Sequence, residues 1–159
     1  MEYDTTYTNI KIYTPIKFTN YGSSEFDPKK THDTDSGYDL YLVKKISENP
    51  LTGVEMWDTG IAFDMPEGVC AYVYPRSSMC KSGYTLANNV GVIDNGYHGT
   101  IKVAIRKFAR NMLGLSTFHS HRLVQIVFDK VLTTGLTKVD KKQFSISTRE
   151  DGGFGSTGE

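Results

Sequence analysis

TIKVAIRKF, residues 100–108, is the stretch on which the reading of the fold turns. Ile101, Val103 and Ile105 alternate with Lys102, Ala104 and Arg106. In an extended chain that order places the branched apolar side chains on one face and the cations on the other. A helix would scatter the same residues around its axis, so the segment reads as a half-buried β-strand.

Short runs of the same kind lie on both sides of it, at 10–13, 16–19, 38–43, 60–63, 69–74, 123–128 and 144–147. Turn-forming combinations separate them: Asn20-Tyr21-Gly22, Asn49-Pro50, Met65-Pro66-Glu67-Gly68 and Asn95-Gly96. No window sustains an apolar stripe of helical period over three turns, and 77–82 makes at most one helical turn. Many short strands at this spacing predict an all-β sandwich or jelly roll. With 159 residues, no internal repeat and no interdomain linker, the chain reads as one domain large enough to bury most of its apolar surface. Residues 21–35 (YGSSEFDPKKTHDTD) form a long polar loop.

Composition narrows the classes of partner. Lys plus Arg and Asp plus Glu balance at 18 each, so no net field draws the chain to nucleic acid or a membrane, and any anion binding must be local. Cys70 and Cys80 lack metal-ligand spacing and read as free thiols in a reducing compartment. The opening MEYDTTYTNIKIY has no basic and apolar leader, and no run of about 18 apolar residues occurs. These features predict a soluble protein of the cytoplasm or nucleus that is not secreted.

The run GGFGSTG (152–158), preceded by Arg149, has too little apolar surface to pack a core. Successive glycine amides can form a nest of N–H donors, Ser156 and Thr157 add hydroxyls, and Arg149 adds a guanidinium suited to phosphate. Phe154 could lie flat on a base. No lysine follows the glycines and no strand and helix flank them, so this is not a Walker loop. The same composition is also that of a disordered terminal tail.

Further motifs precede it. GVIDNGYHG (91–99) places Asp94 just before Asn95-Gly96 and Tyr97 just after, and the Asn-Gly pair predicts a type I′ hairpin turn. PRSS (75–78) supplies a guanidinium and two hydroxyls at a strand end, RLVQ (122–125) an arginine at a strand start, and DSGYDL (35–40) puts Gly37 and Asp39 at a strand entry. Taken singly, each has an ordinary structural explanation: a turn former, a solvated arginine, a local cap, a cross-strand tyrosine.

In order and spacing, SGYDL, PRSS, GVIDNGYHG, RLVQ and the arginine followed by GGFGSTG resemble the five motifs of the homotrimeric dUTPase family, deoxyuridine triphosphate nucleotidohydrolases. The resemblance runs from about residue 35 to the last residue. It implies a β jelly roll over 1–148 with a flexible phosphate-clamping tail at 149–159. It also implies a homotrimer with three active sites, each built from all three chains. The implied reaction is hydrolysis of dUTP to dUMP and pyrophosphate with Mg2+, which limits uracil incorporation into DNA and supplies dUMP for thymidylate synthesis.

By the same resemblance Asp94 is the general base that orients and deprotonates the attacking water, and Asp39 holds the hydration shell of the magnesium ion. Arg76, Ser77 and Ser78 contact the phosphate chain, Gln125 positions phosphate or water, and Arg122 orients its neighbours. Arg149, Gly155, Ser156 and Thr157 fold over the β- and γ-phosphates, with Phe154 on the uracil. Asn88, Gly91, Val92, Ile93 and Asp94 on one hairpin arm, with Lys102 facing from the other, would read the Watson–Crick edge of uracil. Tyr97 would exclude a ribose hydroxyl. Departures from the family pattern are Ser36, Ser78, His98, Ser120-His121 and Glu150, the last setting a carboxylate beside the clamp arginine. Two alternatives stay open, a dCTP deaminase-like enzyme and a non-catalytic nucleotide-binding module of the same fold. Ammonia release from dCTP would mark the first, binding without turnover the second.

Overall fold

A computed structural model describes residues 15–108, 115, 121–132 and 134–145. Ten strands carry the described architecture, all paired antiparallel: β1 Lys17–Asn20, β2 Tyr38–Leu42, β3 Lys44–Asn49, β4 Val54–Asp58, β5 Ile61–Asp64, β6 Val69–Pro75, β7 Tyr84–Leu86, β8 Gly91–Ile93, β9 Lys102–Lys107 and β10 His121–Lys130. One four-stranded sheet has the order β2-β10-β6-β8, a second the order β3-β4-β9-β7, and β1 pairs with β5 in a two-stranded ribbon. This is an all-β, jelly-roll-like fold. The chain changes between the two four-stranded sheets repeatedly, from β2 to β3 and at every step from β6 to β10.

The alternation at 100–108 does what its pattern predicts. Ile101, Val103 and Ile105 are buried, while Lys102 and Arg106 face solvent. They meet Leu40, Val73, Val124 and Ile126 from the first sheet and Trp57, Tyr84 and Leu86 from the second, so the core lies between the sheets. Fully burying one such aliphatic side chain stabilises by roughly 1.5–3 kcal/mol. The runs expected at 69–74 and 123–128 fall within strands, and those at 16–19, 38–43 and 60–63 do so but for one end residue each, Ile16, Val43 and Gly60. The single helical turn expected at 77–82 is a 3₁₀ helix over Ser77–Lys81.

The run expected at 144–147 is a correction at Phe144 and Ser145, its other two residues lying outside the described ones. Asp140 accepts from Lys142 N–H at 2.9 Å and Gln143 Oε1 accepts from Asp140 N–H at 3.0 Å, which starts a 3₁₀ turn at Lys141–Gln143 and leaves Phe144 and Ser145 outside any strand. The run at 10–13 lies outside the described residues. Both cysteines are free thiols, Cys70 buried and Cys80 exposed. Among the described residues no helix is long and apolar enough to cross a membrane.

Strands β3, β4 and β7 had no counterpart in the periodicity. KKISEN and VEMWD carry charge where an apolar residue would mark a strand, and the inward positions of β4 are Glu55 and Trp57. Glu55 is 1% exposed. Its carboxylate accepts from Trp57 Nε1 at 3.0 Å and from the Tyr84 hydroxyl at 3.3 Å, with Lys45 and Lys107 Nζ each at 3.5 Å. Tyr84 in turn accepts from Leu115 N–H at 3.0 Å, and burial pushes its phenol above the ordinary tyrosine range, helped by the Glu55 charge. Burial pulls the Lys45 ammonium down, but its hydrogen bond to Glu48 and the Glu55 charge outweigh that and leave its pKa raised. A buried carboxylate persists only because it is paired and hydrogen-bonded in this way. Glu55→Ala, which leaves two cations and two donors facing a void, is expected to destabilise by about 3 kcal/mol or more, read as a fall in the thermal unfolding midpoint.

Candidate active site

At one end of the first sheet, β10 lies between β2 and β6, so that Gln125 stands opposite Asp39 on one side and Tyr74 on the other. Asp39 is nearly buried and its main chain bridges that of Lys29, with Asp39 N–H donating to Lys29 O at 2.7 Å. Its carboxylate faces two guanidiniums, Arg76 Nε at 2.5 Å from Oδ1 and Arg122 Nη1 at 3.5 Å from Oδ2. Arg76 leaves the end of β6 and is the residue before the 3₁₀ helix. Its Nη1 donates to Ser78 Oγ at 3.3 Å and to Arg122 O at 3.1 Å, and its backbone N–H to Leu123 O at 2.9 Å. A guanidinium held on several sides keeps a fixed fork, which suits it to a phosphate more than a freely rotating side chain would. The sequence-predicted residues Asp39, Arg76, Ser77, Ser78 and Gln125 are therefore brought together, and Arg122 joins them.

Gln125 is seated by a glycine. Its Nε2 donates to Pro75 O at 3.2 Å, and a Cβ at Gly37 would stand 2.7 Å from its Oε1. The sequence marked Gly37 only as part of a strand entry. Its use, to let a glutamine side chain cross the backbone, is a matter of long-range packing that no local pattern encodes.

The second group of predicted residues lies on β8 and the turn after it. Gly91, Val92 and Ile93 pair with Val73, Tyr72 and Ala71 of β6, and Asn88 precedes them in a bend where Asn89 has φ +61°. Val92, Asp94 and Tyr97 are exposed. The Tyr97 hydroxyl donates to Thr100 O at 3.0 Å, and its ring lies on Gly99, where a Cβ would stand 2.7 Å from the hydroxyl oxygen.

The hairpin expected here is not formed. β8 is bonded to β6 in the first sheet, whereas β9, which begins with Lys102 opposite Asp58, is bonded to β4 and β7 in the second. Nor is the turn type I′. Tyr97 N–H donates to Asp94 O at 3.2 Å, but only Gly96 has positive φ, at +84°. A positive φ at the second central residue alone is the requirement of a type II turn. The two sheets compete for the flanking strands, and the sheets win over the local Asn-Gly preference.

Within one chain Asp94 stays apart from Asp39, although Gly91, opposite Val73, lies nearer the Arg76 end of β6. Ile93 is level with Ala71 of β6 and Asp39 with Tyr74, so about 10 Å along the strands and three strand spacings across, about 14 Å, separate the two positions. Asp94 follows Ile93 on the far side. Arg149, Phe154, Gly155, Ser156 and Thr157 lie outside the described residues.

The family model for dUTPase matches residues 23–158. A deoxyuridine 5'-triphosphate nucleotidohydrolase of Alkaliphilus metalliredigens is 34% identical over 132 residues, covering 82% of this chain and 88% of that protein. One of Hydrogenobaculum is 38% identical over 125 residues, covering 77% and 83%. The chain belongs to the dUTPase family. Among solved structures it is similar in fold to a Staphylococcus bacteriophage 80alpha dUTPase with dUPNHPP, at TM-score 0.69 and 24% identity over 91% of this chain and 98% of that one. A dUTPase from phage phi11 of S. aureus, whose structure concerns the coordination of a structural Mg(II) ion, matches at TM-score 0.63 and 21% identity, covering 81% of this chain and 99% of that one.

No cluster of three His, Cys, Asp or Glu residues that could hold a metal ion occurs among the described residues of this dUTPase. Asp39 supplies one carboxylate, each oxygen of which already faces a guanidinium. A carboxylate oxygen has a second lone pair. The donor set therefore fits a carboxylate that accepts from waters around a cation, and not a cage that binds the ion directly.

The Gly37–Gln125 packing gives a test. Gly37→Ala is expected to cost about 1–3 kcal/mol through overpacking, and Gln125→Ala, which empties the space, should recover part of that loss in the double variant. Additive losses in thermal denaturation would show that the two positions do not meet.

Proposed function

We propose that this chain hydrolyses dUTP to dUMP and pyrophosphate in an assembly of three copies whose active sites are shared between subunits. The observation that carries the reading is the one-chain geometry: a fixed arginine–serine cluster for phosphate at one end of the first sheet, and an exposed carboxylate, Asp94, far from it. A general base must come within about 3 Å of the proton it takes, directly or through one water. Asp94 and the Arg76 cluster of a single chain do not serve the same phosphate; those of neighbouring chains can.

In this mechanism Asp94 accepts a proton from water, and the water oxygen attacks the α-phosphorus. The bond to the bridging oxygen breaks, and pyrophosphate leaves with the electron pair of that bond. Arg76, Ser77 and Ser78 stabilise the charge on the phosphate chain, and Gln125, held at Pro75 O, orients phosphate or water. Mg2+ supplies charge neutralisation along the triphosphate when bound with it, and Asp39 would accept hydrogen bonds from the waters of its shell, in keeping with the preference of this ion for water and few carboxylates. Arg149, Gly155, Ser156 and Thr157 close over the outer phosphates, and Phe154 stacks on the base.

Selectivity rests on Asn88 and the main chain of 91–94, whose N–H and C=O groups can pair with uracil. Cytosine would leave them mispaired, at about 1–3 kcal/mol for each group left unsatisfied. Lys102 begins β9 opposite Asp58 in the second sheet, so the hairpin that was to set it against 91–94 is not there to do so. Tyr97, pressed on Gly99, fills the space that a 2′-hydroxyl needs. Pyrophosphate rather than ammonia is the product favoured by the similarity to deoxyuridine 5'-triphosphate nucleotidohydrolases.

Asp94→Asn keeps the shape and removes the proton acceptor. Turnover of dUTP is expected to fall about 100- to 10,000-fold with binding of a non-hydrolysable analogue retained, measured by pyrophosphate release and calorimetry. Mixing two inactive proteins tests the shared site. When Asp94→Asn and a chain truncated after Thr148 are co-refolded in equal amounts, about one quarter of sites combine an intact Asp94 with a neighbour's tail, and activity should return to about that fraction. Verified mixed trimers without activity would reject sharing.

A further inference from the structure

We propose that Asn95 is a positioning residue for the reaction, fixing Asp94 by tying its turn to the loop between β5 and β6. This rests on the reading of Asp94 as the base and adds the device that holds it. Between Ile93, the last residue of β8, and Lys102, the first of β9, the chain leaves one sheet and enters the other, so the segment has no ladder of its own. Its internal main-chain support is the single bond from Tyr97 N–H to Asp94 O. Past the turn, Thr100 is anchored through Oγ1 to Asp58 Oδ2 at 3.0 Å.

On the Asp94 side the anchor is the Asn95 carboxamide. Its Nδ2 lies 2.7 Å from Pro66 O, 3.1 Å from Val69 O and 3.3 Å from Met65 O. Three carbonyl oxygens around one atom require a donor there, which fixes the orientation of the amide. An oxygen in the same place would face three acceptors and repel them. Two of the acceptors belong to the loop that joins β5 and β6 and the third, Val69, is the first residue of β6; the loop is itself closed by Val69 N–H donating to Pro66 O at 3.2 Å. Asp94 and Asn95 are adjacent, with Cα atoms about 3.8 Å apart across a planar peptide, so a shift of Asn95 passes directly to Asp94. A misplacement of about 1 Å in a reacting group can cost about 100-fold in rate.

The test uses the full-length protein. Asn95→Ala removes the donor, and Asn95→Asp is nearly isosteric but replaces the donor with an acceptor. Each is expected to lower kcat about 10- to 100-fold while KM for dUTP stays within about three-fold, with kcat counted per site titrated by a non-hydrolysable dUTP analogue so that loss of folded protein does not enter. Asn95 is exposed and its loss leaves the core intact. In an Asp94→Asn background the Asn95→Ala change should cost no further rate, because the group it positions is gone. The proposal is overturned if Asn95→Asp keeps the wild-type kcat, or if Asn95→Ala costs a further ten-fold when Asp94 is already asparagine. Failure of the base assignment looks different: there Asp94→Asn itself turns over at the wild-type rate.

Discussion

A single buried carboxylate reaches every strand of the second sheet. Glu55 on β4 meets Lys45 of β3, Trp57 of its own strand, Tyr84 of β7 and Lys107 of β9. Charge inside a sandwich is tolerated only where its partners are complete, and completeness fixes geometry more narrowly than apolar packing does. Leu residues would accept a small slide of one strand against another; four donors converging on two oxygens do not. The register of β4 on β9, and through it the point where β9 enters the sheet after the Asp94 turn, is set against this fixed group.

The candidate site repeats the principle at the other sheet with a different purpose. Asp39 is again a carboxylate out of water, but its partners are two arginines at a strand end, and one of them, Arg122, remains half exposed. The ion pair holds two guanidiniums in place at the strand end. Around it the means of positioning are main-chain atoms and missing side chains: Pro75 O and Gly37 for Gln125, Gly99 for Tyr97. Rigid backbone holds Gln125 and Tyr97, whereas Asp39 and Arg76 place each other.

What was legible in the sequence follows from which forces act locally. The strict alternation at 101–105 gave its strand and its buried face, because burial of one face is a period-two signal. β4 was invisible because one of its two inward residues is Glu55, whose burial depends on lysines and a tyrosine far away in sequence, and β3 because it buries no apolar residue. The Asn95-Gly96 pair was read by its local turn preference, and the sheets overruled it: the turn took the one positive φ that Gly96 supplies. Candidate site residues were marked through resemblance, which also implied sites built from several chains. The distance between them within one chain was not legible, because sequence order carries no distance across a sheet.

The Asn95 amide carries one more consequence, for the chemical ageing of the protein. Asparagine followed by glycine is the pair in which the next backbone nitrogen has least hindrance to attack the side-chain carbonyl, since no Cβ stands in the way. Ammonia is expelled, a cyclic imide closes, and water opens it to an acid. At most surfaces that lesion alters one charge and little else. Here the expelled nitrogen is the atom that holds the turn, and the oxygen replacing it faces Met65, Pro66 and Val69 carbonyls. The same three acceptors restrain the amide from the rotation that attack requires, so the tether slows the reaction that would destroy it. The molecule carries at this turn a slow clock, wound by its own fold.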